Sequence, residues 1–388
     1  MLFSNLLQSL PQHHPTETQA MIAEQRAAGV DVIDLSAGDP DLPAPEPVIE
    51  QLCAALHESE NHRYPEYRGM HALHEAIAAW FERRFAVHLE TECEILPLLG
   101  SKEGLVYTAL TLLSAGSIAL VPDPGYAVYS TASIMAGASL YFMQLTEENA
   151  YFPDLEAIPP ETLKHARLLW LNYPHNPTGA CASRAFFEKA LAFARRHQLV
   201  IVNDMAYAEV YYENSRPLSL LQLPGARKVA VELHSLSKAY NMAGFRLGML
   251  VGNHELVDAV GRLKRNVDCG IFRPLQYAAI TALHLPLDWV QQRNALYQHR
   301  RDLLVEACNA LGLATQPAKA GLYVWARIPP GFTSRTFSRW LLERSGVFVT
   351  PGSNFGRGGE GWVRISLTVP DERLIVALER IKAAMQRG

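Results

Sequence analysis

The chain has 388 residues, of which 49% are hydrophobic and 19% are charged. This composition is typical of a folded globular protein and excludes intrinsic disorder, collagen and coiled coil. The formal net charge is −4, so the chain has no bulk positive charge with which to bind nucleic acid or an anionic membrane. At about 100–200 residues per domain, the length predicts two or three domains, or one large domain with an appendage.

The cysteine content and the N-terminus indicate the compartment. Five scattered cysteines include no Cys-x-x-Cys pair, which favours a reducing compartment over a disulfide framework or a zinc site. The sequence shows no basic leader and no apolar run of about 20 residues. We therefore expect a cytoplasmic protein without a nucleic-acid, membrane or metal partner.

Short β-branched runs alternate with amphipathic helical patterns along most of the chain. In chain order, the sequence predicts strands at 31–35, 117–121, 168–171, 199–202, 229–233 and 247–251, and helices at 69–85, 103–113 and 186–197. This alternation is typical of an α/β protein whose mainly parallel sheet is covered by helices on both faces.

After residue 285 the pattern changes. A long helix is predicted at 289–311, with Arg300 and Arg301 on its solvent face, and short strands follow at 322–326 and 362–367. We expect a large domain at 46–284 and a small α+β domain at 285–388. Residues 1–45 are expected to form an N-terminal arm and part of the small domain.

Polar clusters follow three of the predicted strands. They are Asn172–Gly179, the segment that contains Asp204 and Tyr207, and Ser235–Arg246. Open α/β sheets bind ligands where parallel strands end, so these clusters are expected to share one crevice.

Part of this crevice suits a phosphate group. Ser235 and Ser237 supply hydroxyl groups, and Arg246 supplies a fork-shaped cation. Near Gly100, a glycine turn precedes a predicted helix whose free N–H groups favour an anion.

Other side chains suit an aromatic ring that carries an aldehyde. Asp204 is able to retain a proton on a ring nitrogen, and Asn176 and Tyr207 are able to donate to a ring oxygen. Tyr126 offers a flat face for stacking, and Lys238 offers an amine that forms an imine. Pyridoxal 5′-phosphate uses all of these groups.

The same motifs resemble a known family. Gly100-Ser-Lys-Glu-Gly, Asn172–Gly179, Asp204-x-x-Tyr207 and Ser235-x-x-Lys238 are similar to motifs of the fold-type I, class I/II aminotransferases. The resemblance is nearest to the LL-diaminopimelate and glutamate–pyruvate (alanine) aminotransferases. It implies the fold-type I architecture, with a seven-stranded, mainly parallel sheet and a small α+β domain built from both chain ends.

The resemblance also implies roles for individual residues. Lys238, Asp204 and Tyr126 match catalytic positions, and Lys238 matches the lysine that is covalently joined to the cofactor. Gly38, Asn176 and Arg364 match substrate-binding positions, with Arg364 on the substrate α-carboxylate. The cofactor-binding positions implied are Ser101, Lys102, Tyr126, Asn176, Asp204, Tyr207, Ser235, Ser237, Lys238 and Arg246.

Tyr64 matches a residue that reaches the cofactor phosphate of a neighbouring subunit. This match implies a homodimer with shared sites. The implied activity is ping-pong transfer of an amino group between an L-amino acid and a 2-oxo acid in amino-acid biosynthesis. Glutamate/2-oxoglutarate or alanine/pyruvate is expected as one pair.

Two alternatives stay open on the residues alone. The same cofactor site serves lyases and specialised amino-acid-modifying enzymes, because such motifs do not report which bond at Cα is broken. A non-enzymatic ligand sensor of the same fold is disfavoured because Lys238 is present.

Substrate recognition is expected from residues 13–20, 41–43 and 268–273. Arg273 or Arg68 on a distal carboxylate is one hypothesis, and the alternative that both are surface arginines is favoured. The stretch 11–16 differs from the start expected of diaminopimelate aminotransferases, which argues against that substrate. Two other patterns resemble binding motifs but are interpreted as having no binding role. Gly356–Gly361 fits a dinucleotide-binding pattern but precedes a strand, which favours a flexible loop. The histidines and the glutamate within 71–75 are interpreted as surface residues without a metal.

Overall fold

The structure is a computed structural model that describes residues 3–10, 15–213 and 215–387. The helices are α1 (Asn5–Ser9), α2 (Pro15–Ala27), α3 (Glu46–Leu56), α4 (His71–Phe85), α5 (Ser101–Leu112), α6 (Val128–Met135), α7 (Pro160–His165), α8 (Arg184–His197), α9 (Leu236–Ala239), α10 (His254–Arg265), α11 (Arg273–His284), α12 (Leu287–Ala310), α13 (Ser334–Ser345) and α14 (Asp371–Arg387). The strands are β1 (Ile33–Asp34), β2 (Ile95–Leu98), β3 (Ile118–Asp123), β4 (Ser139–Gln144), β5 (Ala166–Leu171), β6 (Val200–Asp204), β7 (Ala230–Ser235), β8 (Gly248–Gly252), β9 (Tyr323–Arg327), β10 (Val347–Phe348), β11 (Thr350–Pro351) and β12 (Trp362–Ser366).

A seven-stranded sheet forms the larger part of the molecule, in the order β2-β8-β7-β6-β5-β3-β4. Neighbouring strands from β7 through β4 are parallel, whereas β8 is antiparallel to both of its neighbours. One face packs on α4, α8 and α11, and the other packs on α5, α6 and α10. The expected seven-stranded, mainly parallel sheet covered on both faces is therefore confirmed.

Smaller sheets assemble a second core from distant parts of the chain. β11, β12 and β9 form an antiparallel sheet, and β1 pairs in parallel with β10. Buried side chains of α12, α13 and α14, such as Leu304, Phe337 and Leu374, fill the core beside these strands. Because β1 precedes the large sheet in the chain and β10 follows it, both ends of the sequence contribute to this core.

The arginine pair of α12 corrects one expectation. Arg300 and Arg301 were expected on a solvent face, yet they are only 3% and 2% exposed. Arg300 pairs with Asp41 at 2.9 Å and with Asp371 at 2.6 Å, and Arg301 pairs with Glu213. The burial of these cations is possible because carboxylates from other parts of the chain meet them.

No helix within the described ranges is both long enough and apolar enough to cross a membrane.

Candidate active site

A cavity of about 460 Å³ lies where the parallel strands β5, β6 and β7 end. Its walls come from loops after these strands, from the start of α5 and from the smaller sheets. The cavity brings together all of the predicted site residues except Tyr64: Gly38, Ser101, Lys102, Tyr126, Asn176, Asp204, Tyr207, Ser235, Ser237, Lys238, Arg246 and Arg364.

Tyr64 lies elsewhere on the surface. It is 84% exposed and lines a separate open cavity together with Cys269 and Phe272. It therefore does not line the cavity that holds the other predicted site residues.

At the phosphate-suited end of the cavity, the guanidinium of Arg246 packs closely against Gly100. The φ of Gly100, +85°, favours glycine, and a Cβ there would lie 2.3 Å from an Arg246 guanidinium nitrogen. α5 begins at the next residue, Ser101, so its first N–H groups point toward this end. Ser237 Oγ is buried and has no hydrogen-bond partner in the described part of the chain.

Asp204, at the end of β6, is a buried acid without a cationic partner among the described residues. One carboxylate oxygen accepts from the Tyr129 hydroxyl at 2.9 Å, and the other accepts from the Ala206 N–H at 3.1 Å. Burial nevertheless raises the pKa of Asp204 to about 6, against the lowering effect of these hydrogen bonds. A positively charged group in the cavity would favour its ionised form.

Lys238 lies on α9, directly after β7, and its amine faces the same cavity. Burial lowers the pKa of Lys238 to about 8, an effect that nearby Asp39 partly opposes. No carboxylate of the described residues forms a salt bridge with the amine. At pH 7 this amine is still mostly protonated, but its neutral, nucleophilic form is far more populated than that of an ordinary lysine.

The Asn172–Gly179 loop is fixed to the end of β6. Asn172 donates to the Asp204 carbonyl at 2.7 Å and accepts from the Asn176 N–H at 2.9 Å. Asn203, next to Asp204, donates to buried Glu232 at 3.1 Å. These hydrogen bonds set the position of Asn176 relative to Asp204.

Arg364 lies opposite, on β12, and is 8% exposed. Its guanidinium donates to Asn176 Oδ1 at 3.0 Å and to the Ser36 carbonyl at 2.9 Å. The guanidinium carbon lies 3.8 Å from the ring centre of Tyr323 and 4.8 Å from that of Phe355. This clamp presents a fixed cation to the cavity, which suits a substrate carboxylate.

These features fit pyridoxal 5′-phosphate. Gly100, Arg246 and the Ser237 hydroxyl, which has no hydrogen-bond partner among the described residues, suit the phosphate. Asp204, which has no cationic partner among them, suits a protonated ring nitrogen. Tyr126 lines the same cavity and offers a stacking face, and Lys238 supplies a partly neutral amine. The cavity volume is also within the usual range for cofactor sites, about 300–1,000 Å³.

A second cavity of about 400 Å³ shares Lys102, Tyr126 and Arg364 with the first. Its other walls are mostly apolar, with Val128, Phe348 and Phe355, and they also include the polar side chains of Thr18 and Asn354. Lys102, expected only at the phosphate, therefore also faces this adjoining space.

The expected distal-carboxylate partners do not lie at these cavities within one protomer. Arg273 pairs with Glu66 at 2.9 Å, and Arg68 lies 3.5 Å from Asp258. Asp41, from the expected 41–43 segment, pairs with Arg300 instead. Residues 11–14, which include part of the expected 13–20 segment, lie outside the described residues.

Several cavity residues escaped the sequence analysis: Asp39, Tyr129, Asn172, Ala206 and Tyr323. Asn172 was inside a recognised motif, and Asp39 follows the recognised Gly38, so both had a signal. Tyr129 and Tyr323 lie in an ordinary helix and an ordinary strand, where nothing local distinguishes them.

The 71–75 histidines differ partly from expectation. His71 is exposed beside Glu75, but His74 is buried, with its ring nitrogens 2.8 Å from the Thr91 carbonyl and 2.7 Å from the Arg68 carbonyl. No cluster of potential metal ligands occurs among the residues that the structure describes.

Comparison with known proteins identifies the family to which this chain is similar. The sequence profile of the family "Aminotransferase class I and II" matches residues 30–381. An LL-diaminopimelate aminotransferase of Dehalococcoides mccartyi is 47% identical over 374 residues, which is 96% of this chain and 96% of that protein. The enzyme of the same name from Moorella thermoacetica is 44% identical over 98% of this chain and 97% of its own.

A solved structure, substrate-bound BacF from Bacillus subtilis, superposes with a TM-score of 0.95 at 38% identity, covering 99% of this chain and 98% of that chain. A Thermus thermophilus aspartate aminotransferase mutant superposes with a TM-score of 0.91 at 28% identity, covering 99% of this chain and 100% of that chain.

Proposed function

The chain belongs to the class I and II aminotransferases, pyridoxal 5′-phosphate enzymes, and on this premise we propose that it acts on amino acids that carry a distal carboxylate. We propose LL-diaminopimelate as the specific amino acid and glutamate/2-oxoglutarate as the exchanging pair, in a ping-pong cycle that serves amino-acid biosynthesis. The names of the relatives that are 44–47% identical support the first substrate.

The adjoining cavity is the observation that carries this proposal. It opens beside Arg364, so a substrate whose α-carboxylate meets Arg364 would extend its side chain into this space. Lys102 places a cation on its wall, and the remaining polar groups include Thr350 and Asn354. The Lys102 cation is able to pair with a distal carboxylate, and the apolar side chains of Val128 and Phe348 would contact the methylene groups that precede it.

The residues of the main cavity divide the chemical work. When bound, pyridoxal 5′-phosphate supplies an electron-withdrawing ring that takes up the charge left at the substrate Cα. We assign removal of the Cα proton to the amine of Lys238 and the binding of the α-carboxylate to Arg364. Asp204 maintains the proton on the ring nitrogen, and Tyr207 and Asn176 donate to the ring oxygen.

We also propose that the enzyme is a homodimer in which Tyr64 completes the partner's phosphate site. Tyr64 and Phe272 line one open surface cavity and are 84% and 39% exposed. Large aromatic side chains grouped on a surface are typical of interfaces.

A donor panel tests the substrate proposal. LL-diaminopimelate and alanine are each assayed with 2-oxoglutarate, LL-diaminopimelate and glutamate are each assayed with pyruvate, and the product amino acid is identified. We expect LL-diaminopimelate with 2-oxoglutarate to give the highest kcat/KM. Preference for alanine over LL-diaminopimelate with 2-oxoglutarate as acceptor, or release of ammonia without an acceptor, would refute the assignment.

The Lys102→Met variant tests the adjoining cavity. Loss of a charge-assisted contact predicts a fall of about 10- to 100-fold in kcat/KM for LL-diaminopimelate and glutamate, at saturating cofactor. The kcat/KM for alanine is expected to stay within about twofold. Lys382→Met, on the exposed side of α14, is the matched control. Equal losses for all three donors would show that Lys102 does not recognise the side chain.

A further inference from the structure

Two tyrosine hydroxyl groups meet inside the active-site cavity. Tyr207, from the loop after β6, and Tyr323, from β9, are 6% and 3% exposed, and their oxygens lie 2.9 Å apart. We propose that Tyr323 is a positioning residue whose hydroxyl couples binding of the substrate carboxylate at Arg364 to hydrogen-bond donation by Tyr207 toward the cofactor.

Strand register places Tyr323 beside the carboxylate-binding arginine. In the antiparallel pair β12–β9, Arg364 lies opposite Trp325, and Tyr323 lies opposite Ser366. Tyr323 and Arg364 are thus diagonal neighbours on one face of the sheet. Their contact of 3.8 Å between guanidinium carbon and ring centre is well within the range of a cation–π interaction.

The same hydroxyl also faces the backbone at Gly38. It lies 3.4 Å from the Gly38 carbonyl oxygen, and a Cβ at this glycine would lie 2.7 Å from it. A larger residue at position 38 would therefore displace the hydroxyl. Tyr323 touches Tyr207, Gly38 and Arg364 at once, and so joins the groups assigned to the cofactor with those assigned to the substrate.

The coupling follows from the single proton that each phenol donates. If Tyr323 donates to the Gly38 carbonyl, its oxygen accepts from Tyr207, and the proton of Tyr207 is not available to the cavity. If Tyr323 donates to Tyr207, then Tyr207 is free to donate to the cofactor oxygen. A carboxylate bound at Arg364 and Gly38 acts at the Tyr323 end of this series of hydrogen bonds. It therefore biases the direction in which the two phenols donate their protons.

The pair works through hydrogen bonds rather than through ionisation. Burial raises the pKa of Tyr207 well above its ordinary value, and the hydrogen bond to Tyr323 raises it further, whereas Arg364 lowers it. Tyr126 and Asp204 are the other titratable groups whose charge acts on this pair. The Tyr207 phenol consequently stays protonated near neutral pH.

A double-mutant cycle on the cofactor-loaded enzyme tests the inference. The variants are Tyr323→Phe, which retains the ring beneath Arg364, Tyr207→Phe, and the double variant. The readout is the pH midpoint of the absorbance change of the lysine-bound cofactor, measured with and without saturating glutarate, a dicarboxylate that lacks an amino group. Tyr212→Phe is the matched control, because Tyr212 donates to the Gly321 carbonyl near β9 and lies outside the cavity.

We expect glutarate to move the midpoint of the unaltered enzyme by about half to one pH unit, the size of one neutral hydrogen bond. Tyr323→Phe should reduce this movement to less than half, and Tyr323→Phe should add nothing in the Tyr207→Phe background. Tyr212→Phe should behave as the unaltered enzyme.

The inference rests on the proposed roles of Tyr207 and Arg364. The double-mutant cycle distinguishes failure of those roles from failure of the coupling through Tyr323. If Tyr207→Phe leaves the midpoint unchanged, the proposed contact with the cofactor oxygen is wrong. If Tyr207→Phe shifts the midpoint but Tyr323→Phe retains the full glutarate response, the coupling through Tyr323 is wrong. Additive effects of the two variants would also overturn the coupling.

Discussion

At the scale of single residues, the active site contains an acid whose environment opposes its charge. Asp204 is 4% exposed and accepts two hydrogen bonds, yet burial still dominates and raises its pKa to about 6. A cofactor ring nitrogen would supply the missing cation. The cofactor-free protein therefore contains a buried carboxylate whose ionised form is unfavourable until that cofactor binds. This is a common compromise between stability and activity.

The Asp204→Asn variant is expected to move stability and activity in opposite directions. In the cofactor-free protein the raised pKa means that the native state binds this proton more tightly than the unfolded chain. The free energy of unfolding therefore falls as pH rises from about 4 to about 6, and the full cost is present at pH 7. Asp204→Asn removes this cost and should stabilise the cofactor-free protein by about 2 kcal/mol at pH 7. Activity of the loaded enzyme should fall by about 100-fold or more.

Urea unfolding of cofactor-free protein between pH 4 and pH 8 measures the first effect, and the amino-transfer assay measures the second. Asp288→Asn, on the exposed first turn of α12, should change neither. A cofactor-free Asp204→Asn protein that is less stable than the unaltered protein at pH 7 would contradict the argument.

At the scale of elements, the sequence predicted the central strands well because buried parallel strands are short apolar runs. β2 was missed because Pro97 lies within it, and β4 was missed because, as a partly exposed edge strand, it lacks a clear pattern. The antiparallel direction of β8 is not readable from a single strand. Contiguous motifs located most of the cavity, whereas Tyr323 and Tyr129 depend on tertiary contacts.

The Gly356–Gly361 loop was expected to be flexible, but part of it packs against the end of β3. The Gly358 N–H donates to the Asp123 carboxylate at 2.8 Å, and the Gly125 N–H donates to the Phe355 carbonyl at 2.8 Å. Since Phe355 lies against Arg364, this contact fixes the Arg364 side chain relative to the Tyr126 segment.

Gly358→Ala is expected to loosen this contact. The added Cβ would lie 2.8 Å from the Asp123 backbone oxygen, so the loop must move away. We expect a destabilisation of about 1–3 kcal/mol and a rise of several-fold in KM, with a smaller change in kcat. Gly261→Ala, where a Cβ meets only ordinary contacts in α10, should not destabilise the protein. Unchanged melting temperature and KM in Gly358→Ala would refute this role.

At the scale of the whole molecule, the cavity is closed on one side by the large sheet and on the other by the smaller sheets. Apolar side chains are left exposed outside this arrangement. Phe3, Leu6 and Leu7, on and beside α1, are 56%, 44% and 54% exposed, and none of the α1 residues is buried. Together with Tyr64, they supply surface that the proposed dimer would cover.

Subunit mixing tests whether Tyr64 acts across the proposed dimer. Lys238→Ala and Tyr64→Ala proteins should each have low activity. In a hybrid dimer, the site that retains Lys238 would receive an intact Tyr64 from its partner. Random reassociation of equal amounts should therefore restore about a quarter of the activity of the unaltered enzyme. Absence of any gain after refolding the mixture would exclude a cross-subunit role for Tyr64.

The two halves of the cavity also differ in when the ribosome makes them. Every strand of the large sheet, together with Asp204, Lys238 and Arg246, is complete in a nascent chain once residue 252 has been added. The clamp around Arg364 requires β12 and Ser36, which are separated by more than 300 residues of synthesis. Domains fold as units during translation. The part of the cavity that contains Asp204, Lys238 and Arg246 is therefore able to fold before β12, which carries Arg364, has been synthesised.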